Sequence, residues 1–196
     1  MKSFYYTPDA SSFPVVFLLF SHLRTLPFSA IMPVHPTGGG ILQQKSFPTA
    51  LKAAFPHTVP ILTGYLAVGL AYGLLMASKG YHFLWSGFVS AFAFCGSMQY
   101  VAITLLTTAF DPFSAFFLSL MVNARHLFFS LALLPKYRQL GRLRYFLIYT
   151  LSDENFSLSS TVEPPEDVDP TLFYFAMSLL TWLYWVVFSM LGGLIG

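Results

Sequence analysis

Long apolar stretches dominate this chain from residue 56 onward, and short polar islands interrupt them. Residues 56–77 read as a first helix able to cross a bilayer, which takes about 20 apolar residues. Gly69, Gly73 and Ala77 recur at every fourth position and form a small-residue stripe for close helix packing. Gly64 offers a further backbone approach about one turn earlier, and helix packing is the preferred reading of these glycines. A turn at Ser78-Lys79-Gly80 follows. Residues 83–110 are apolar except at Gly96-Ser97-Met98-Gln99, so they predict either one tilted helix or two half-helices with an unwound break. Residues 113–134 predict another spanning helix, and Asn123-Ala124-Arg125-His126 lies inside it. Two shorter apolar pieces, 145–151 and 156–162, flank Ser152-Asp153-Glu154-Asn155. The acidic, proline-containing segment 163–169 reads as a solvated loop, and 171–195 as the last span.

Composition turns these elements into a class. The chain is 56% hydrophobic and 9% charged, with a mean hydropathy of +0.65. Soluble domains carry about 25% charged residues. An all-α, polytopic integral membrane protein with discontinuous transmembrane helices is the expectation. A net charge of +2 leaves no basic footprint for nucleic acid. Cys95 is the single cysteine, which excludes an intrachain disulfide and is read as filling apolar space.

Charge placement bears on topology. Lys45 and Lys52 precede the first span, and Lys136, Arg138, Arg142 and Arg144 follow the 113–134 span. The positive-inside rule wants both clusters in the cytoplasm. Three simple crossings between them would put the second cluster outside. A segment 83–110 that turns back at its break leaves two crossings and both clusters inside, so the re-entrant form is preferred.

Residues 1–46 differ from the rest. The apolar run 13–20 is too short to span, and Pro14, Pro27, Pro33, Pro36 and Gly38-Gly39-Gly40 break any long helix. A leader without assigned function is expected there, with Met32 an alternative initiator. Residues 47–196 form the expected transmembrane domain. The run 171–195 ends at Gly196 without a polar flank, which suggests a truncated C-terminus.

The polar islands carry the chemistry. Arg125 lies roughly 18 Å into its helix at about 1.5 Å per residue, slightly past the bilayer midplane. An arginine there costs several kcal/mol unless paired or hydrated, which marks a functional site. Ser119, Asn123, His126 and Ser130 are spaced 4, 3 and 4 apart and share one helix face. That face suits either a wet cavity or hydrogen bonding to neighbouring helices. Arg125 points elsewhere, about 160° from Asn123 and about 100° from His126. It needs a partner from another segment, and Asp153 or Glu154 suits best. The pair is either a structural lock or part of a carboxylate-binding site, since the guanidinium fork fits a carboxylate. An unwound turn at Gly96–Gln99 exposes backbone groups at the midplane, with Ser97 and Gln99 as added donors. Half-helix N-termini favour carboxylates, and paired interruptions in two halves of a chain point to a transport site. A metal site lacks ligands near His126.

At these motifs the chain resembles the AzlC family, the large subunit of bacterial branched-chain amino acid exporters. The resemblance rests on Gly64-Tyr65 through Gly73, Gly96-Ser97-Met98-Gln99-Tyr100, Asn123-Ala124-Arg125-His126-Leu127 and Ser152-Asp153-Glu154-Asn155-Phe156, in that order over roughly residues 47–196. The family continues beyond the position of Gly196 with further hydrophobic segments. The resemblance implies a multi-pass protein of the bacterial cytoplasmic membrane, partnered by a small AzlD-type membrane subunit.

The expected function is export of valine, leucine or isoleucine by a secondary transporter without cofactor. A phosphate-binding G-x-x-x-x-G-K-[ST] loop is missing from the sequence, so an ion gradient or the membrane potential would supply the energy. Gly96, Ser97, Gln99, Asn123 and Arg125 are the candidate substrate-binding residues. His126, Asp153 and Glu154 are the candidate proton carriers. The principal alternative is a non-transporting assembly or scaffolding subunit. A hydrolase built on Ser97 or Cys95 with His126 and Asp153 is disfavoured, because no nucleophile signature is present.

Overall fold

The computed structural model describes residues 46–107 and 111–196, all in helices and their connections. The leader of residues 1–45, with its prolines, Met32 and Lys45, lies outside the described residues. The helices are α1 (Phe47–Ser78), α2 (Phe83–Phe92), α3 (Gly96–Thr107), α4 (Pro112–Tyr137), α5 (Arg144–Tyr149), α6 (Asp153–Thr161) and α7 (Pro170–Ile195), with a 3-10 turn at Gly141–Leu143 before α5. Among the described residues, α1, α4 and α7 are long and apolar enough to cross a membrane. The protein is an all-α membrane protein with broken helices.

Local chemistry explains where these helices start. Asp111 and Asp169 each accept hydrogen bonds from the first free backbone N–H groups of α4 and α7, and Ser152 does the same for Asn155 of α6. A proline stands in the first turn of α1, α4 and α7, where its missing N–H costs nothing. The bonds that Asp111 accepts from Ser114 and Phe113 hold its carboxyl below the usual range.

The two glycine-bearing helices α1 and α7 run in the same direction. Thr58 meets Tyr184 at 3.1 Å, Tyr65 meets the Trp185 ring at 5.1 Å, and a Cβ at Gly69 would touch Phe188 at 2.9 Å. At Gly73 the backbones themselves meet. A Cβ there would lie 2.2 Å from the Ser189 carbonyl oxygen, and one at Gly192 would lie 2.2 Å from that of Leu70. The stripe read from the sequence is therefore the α1–α7 seam. Tyr65, Tyr72, Tyr100 and Trp185 pack beside it as edge-on and stacked rings.

Neighbouring contacts give the direction of each shorter helix. Call the end where α1 and α7 begin the near end. Helix α2 starts at the far end, with Phe83 against Gly193 and Gly87 against Met190, and its Ala91 carbonyl accepts from Trp182 at 3.2 Å. Helix α3 then runs back: Gly96 faces Trp185, Tyr100 donates to the Val68 carbonyl at 2.7 Å, and Ile103 packs on Tyr72 and Met76. The pair α2–α3 is thus a re-entrant hairpin from the far end. Helix α4 crosses to the near end, where Tyr137 donates to Ser159 at 2.8 Å and Lys136 meets Glu163 at 3.0 Å. Helix α5 enters from there, with Phe146 on Phe175 at 5.1 Å and the Tyr149 hydroxyl on the Ala91 carbonyl. Helix α6 returns to the near end, since its Ser159 meets Tyr137.

Two units of opposite orientation result, each a long helix followed by a half-helix pair: α1 with α2–α3, and α4 with α5–α6. This is the inverted arrangement found in many secondary-transporter folds. The register also brings Lys52, Lys136, Arg138, Arg142 and Arg144 to the near end, as the charge pattern requires of a re-entrant 83–110 segment.

The break itself differs in position from the sequence expectation. The unwound residues are Ala93, Phe94 and Cys95, and Gly96-Ser97-Met98-Gln99 forms the first turn of α3. The backbone bond from Gln99 N–H to the Cys95 carbonyl, at 3.0 Å, already belongs to the new helix. Glycine and serine in a first turn look the same in sequence as glycine and serine in a break.

A cavity between two half-helix tips

The hairpin tips meet beside a cavity of about 450 Å³. Its polar end consists of Ser97, Arg125, Ser152, Asp153 and Glu154. Its apolar wall includes Ile61, Val68, Phe94 and Trp185. Each tip meets the long helix of the opposite unit. Arg125 of α4 donates to Ser97 of α3 at 2.6 Å, and Tyr65 of α1 donates to Glu154 of α6 at 2.9 Å.

Arg125 reaches two tips at once. Its second terminal nitrogen meets Asp153 Oδ2 at 2.5 Å, so the residue joins the first turns of α3 and α6. The partner expected from helix geometry is the one found, and it is Asp153; Glu154 goes to Tyr65. The side chains of Arg125 and Asp153 remain 38% and 45% exposed. Arg125 Nε is buried without a partner. Both residues line the cavity, so the pair has access to it.

The two tips share a local design. Gln99 and Asn155 occupy the fourth residue of the segments Gly96–Tyr100 and Ser152–Phe156, and each is 2% exposed. Gln99 donates to the Val89 carbonyl of the entering half-helix and accepts from Trp185 of α7 at 2.9 Å. Asn155 donates to the Thr150 carbonyl and accepts from Thr181 of α7 at 2.8 Å. Each amide fastens its own hairpin and ties it to α7. Buried amides satisfied on both sides rigidify such a turn.

Some candidate residues lie away from this cavity. Gln99 is occupied in the interior and is not among the residues lining the cavity. Asn123 also lies off this cavity. It accepts from Cys95 Sγ at 3.1 Å, and borders a second cavity of about 300 Å³ with Phe92, Ile148 and Tyr149. His126 borders both cavities, and its Nδ1 lies 3.3 Å from the Asn123 carbonyl. Of the stripe Ser119–Asn123–His126–Ser130, Asn123 and His126 face cavities. Ser119 only accepts from Asn123, at 3.4 Å. Gly96, Ser97, Arg125, Asp153 and Glu154 come together as expected. Tyr65 was missed as a polar participant. The sequence signal for it was a tyrosine beside Gly64, four residues before the packing stripe begins.

Among the described residues, no three His, Cys, Asp or Glu side chains gather to hold a metal. The first turns of α3 and α6 both open toward Arg125. Their free backbone N–H groups make this region favourable to anions, while Asp153 and Glu154 in the first turn of α6 supply acceptors for a cation. The arrangement suits a small ligand carrying both charges.

The AzlC protein family matches residues 60–196. The chain is 44% identical over 147 residues to the branched-chain amino acid transport protein AzlC of Bacillus subtilis (strain 168), covering 75% of this chain and 58% of the relative. It is 38% identical over 150 residues to an uncharacterized membrane protein of Helicobacter pylori (strain J99), covering 76% and 66%. It is 36% identical over 148 residues to one of Haemophilus influenzae, covering 75% and 61%. The chain thus spans about three fifths of the length of these relatives. No solved structure matches it. With the motifs, the broken helices and the match over residues 60–196 in agreement, this chain belongs to the AzlC family.

Proposed function

We propose that the chain is part of the large subunit of a secondary transporter that exports branched-chain amino acids across the bacterial cytoplasmic membrane. The observation that carries this reading is Arg125, which bridges both half-helix tips while its partly exposed side chain lines an open cavity. The substrate carboxylate takes Arg125, Ser97 and the backbone N–H groups from Gly96 onward. The ammonium lies toward Asp153 and Glu154, and Ile61, Val68, Phe94 and Trp185 hold the aliphatic tail. The Bacillus subtilis relative, named for branched-chain amino acid transport, supports the substrate class.

Two oppositely entering hairpins that meet at one site suit alternating access, in which one unit rocks against the other. The basic cluster at the near end puts that end in the cytoplasm. A small AzlD-type membrane subunit is the expected partner. The apolar outer surface of α4, including Phe113, Phe116, Met121, Leu127 and Phe128, is exposed and suits lipid chains or such a subunit. A non-transporting assembly role predicts no substrate flux from membranes holding both subunits.

Glu154 is the strongest candidate for the coupling proton, because it lines the cavity and, unlike Asp153, is in no ion pair among the described residues. Asp153 is held by Arg125, and His126 stands between two cavities. Glu154→Gln is expected to abolish leucine efflux driven by an imposed pH gradient while leaving leucine–leucine exchange. Labelled leucine in proteoliposomes measures both. Gradient-driven efflux at the wild-type rate in this variant would remove Glu154 from coupling. Failure of the wild type to move valine, leucine or isoleucine would overturn the transport reading itself.

A further inference from the structure

The glycines of α1 are not equivalent. Gly69 and Gly73 press against α7, where an added Cβ would collide with Phe188, Ser189 and Gly193. At Gly64 an added Cβ meets nothing within 4 Å. Gly64 also lies about 140° around the helix from Gly69, so it takes no part in that seam. It instead borders the cavity, together with Pro60, Ile61, Tyr65 and Val68 of the same helix. These positions share one arc, and Gly64 lies within about 30° of its centre. A side chain at position 64 would therefore project into the cavity.

Glycine is disfavoured in a helix interior relative to alanine. At positions 69 and 73, close backbone approach accounts for it. At position 64 no neighbour requires it, and the exposed glycine leaves open space on a cavity that Ile61, Val68, Phe94 and Trp185 also line. That volume lies on the apolar side of a site whose charged groups come from Ser97, Arg125, Asp153 and Glu154.

We propose that Gly64 is a specificity-determining position: the space beside its Cα admits the branched end of a leucine- or isoleucine-sized side chain. The proposal rests on the transport reading above and adds what limits substrate size. Each methylene that enters or loses such a pocket changes discrimination by roughly 10- to 200-fold. Filling position 64 should therefore shift preference toward smaller substrates and not weaken all of them equally.

The test is a graded series, Gly64→Ala, Gly64→Val and Gly64→Leu. Flux of labelled alanine, valine, leucine and isoleucine is measured in cells at matched membrane levels. The leucine-to-alanine flux ratio should fall stepwise, by at least about tenfold at Gly64→Val. Gly64→Ala favours the helix and keeps the series readable if the leucine variant does not accumulate. An unchanged ratio across the series overturns the proposal, and so does a parallel fall of all four substrates at normal membrane level. A wild-type protein that moves none of the four overturns the transport reading instead.

Discussion

Replacing Arg125 by alanine is expected to lower branched-chain amino acid efflux by tenfold to hundredfold at unchanged membrane level. The magnitude follows from the bond type. A hydrogen bond to a charged group contributes about 1.5–3 kcal/mol, and about 1.4 kcal/mol is a factor of ten. Arg125 makes two such bonds, to Ser97 and Asp153, and its terminal nitrogens carry further N–H groups for a ligand. Its removal also leaves Asp153 without a counter-charge near the bilayer midplane, which raises the barrier to a carboxylate entering the site. Arg125→Lys should recover only part of the activity, because one ammonium cannot span both tips in the guanidinium's planar geometry. A purely structural lock predicts a different outcome: loss of protein from the membrane, rescued when Asp153→Asn removes the orphaned charge. Efflux assays paired with quantification of membrane protein separate the two.

Gly73→Leu is expected to prevent accumulation of folded protein. The Gly73 Cα faces the Ser189 carbonyl and the Gly192–Gly193 backbone, and a Cβ would approach these atoms to 2.2, 2.7 and 2.4 Å. Backbone atoms cannot move aside as a side chain tip can, so α1 and α7 would have to separate. Overpacking a well-packed site typically costs about 1–3 kcal/mol, and occasionally more. Here the separation would also pull Trp185 and Tyr65 from their contact at 5.1 Å and loosen the cavity wall. Thermal denaturation in detergent should show a lower midpoint for Gly73→Ala and little folded material for Gly73→Leu. Gly64→Ala, on the open side of the same helix, should denature at or above the wild-type midpoint. Equal stability of Gly73→Leu and wild type would contradict the seam.

Much of this organisation was legible from the chain. An arginine inside an apolar helix demands a partner, and its angle on α4 excluded the stripe containing Asn123 and His126. That left the acidic pair after the second interruption, and Asp153 is the partner found. The return of residues 83–110 followed from charge bias, because Lys52 and the Arg138–Arg144 cluster require the same side. Other features were not legible, for reasons of geometry. Whether Gly64 packs on another neighbour or opens a cavity depends on what faces it, and spacing shows only that it lies off the Gly69–Gly73 stripe. Gln99 looked available for substrate because, with Ser97, it was placed on an unwound turn exposed at the midplane. Its true neighbours, Val89 and Trp185, are brought together only by the hairpin and α7. The likeness of Gly96–Tyr100 to Ser152–Phe156 was similarly hidden, since Gln99 and Asn155 correspond in their bonds more than in their surroundings.

The central claim is that one cavity between opposed half-helix tips recognises both charges and the aliphatic tail of an amino acid. Counterflow in proteoliposomes tests it most directly, with labelled leucine competed by unlabelled leucine, leucinamide or 4-methylpentanoate. The account predicts that leucine competes strongly in the wild type, and that the two analogues, each lacking one charged group, compete weakly. It further predicts that Arg125→Ala removes the distinction between leucine and leucinamide. Equal competition by leucine and leucinamide in the wild type would contradict a carboxylate held at Arg125.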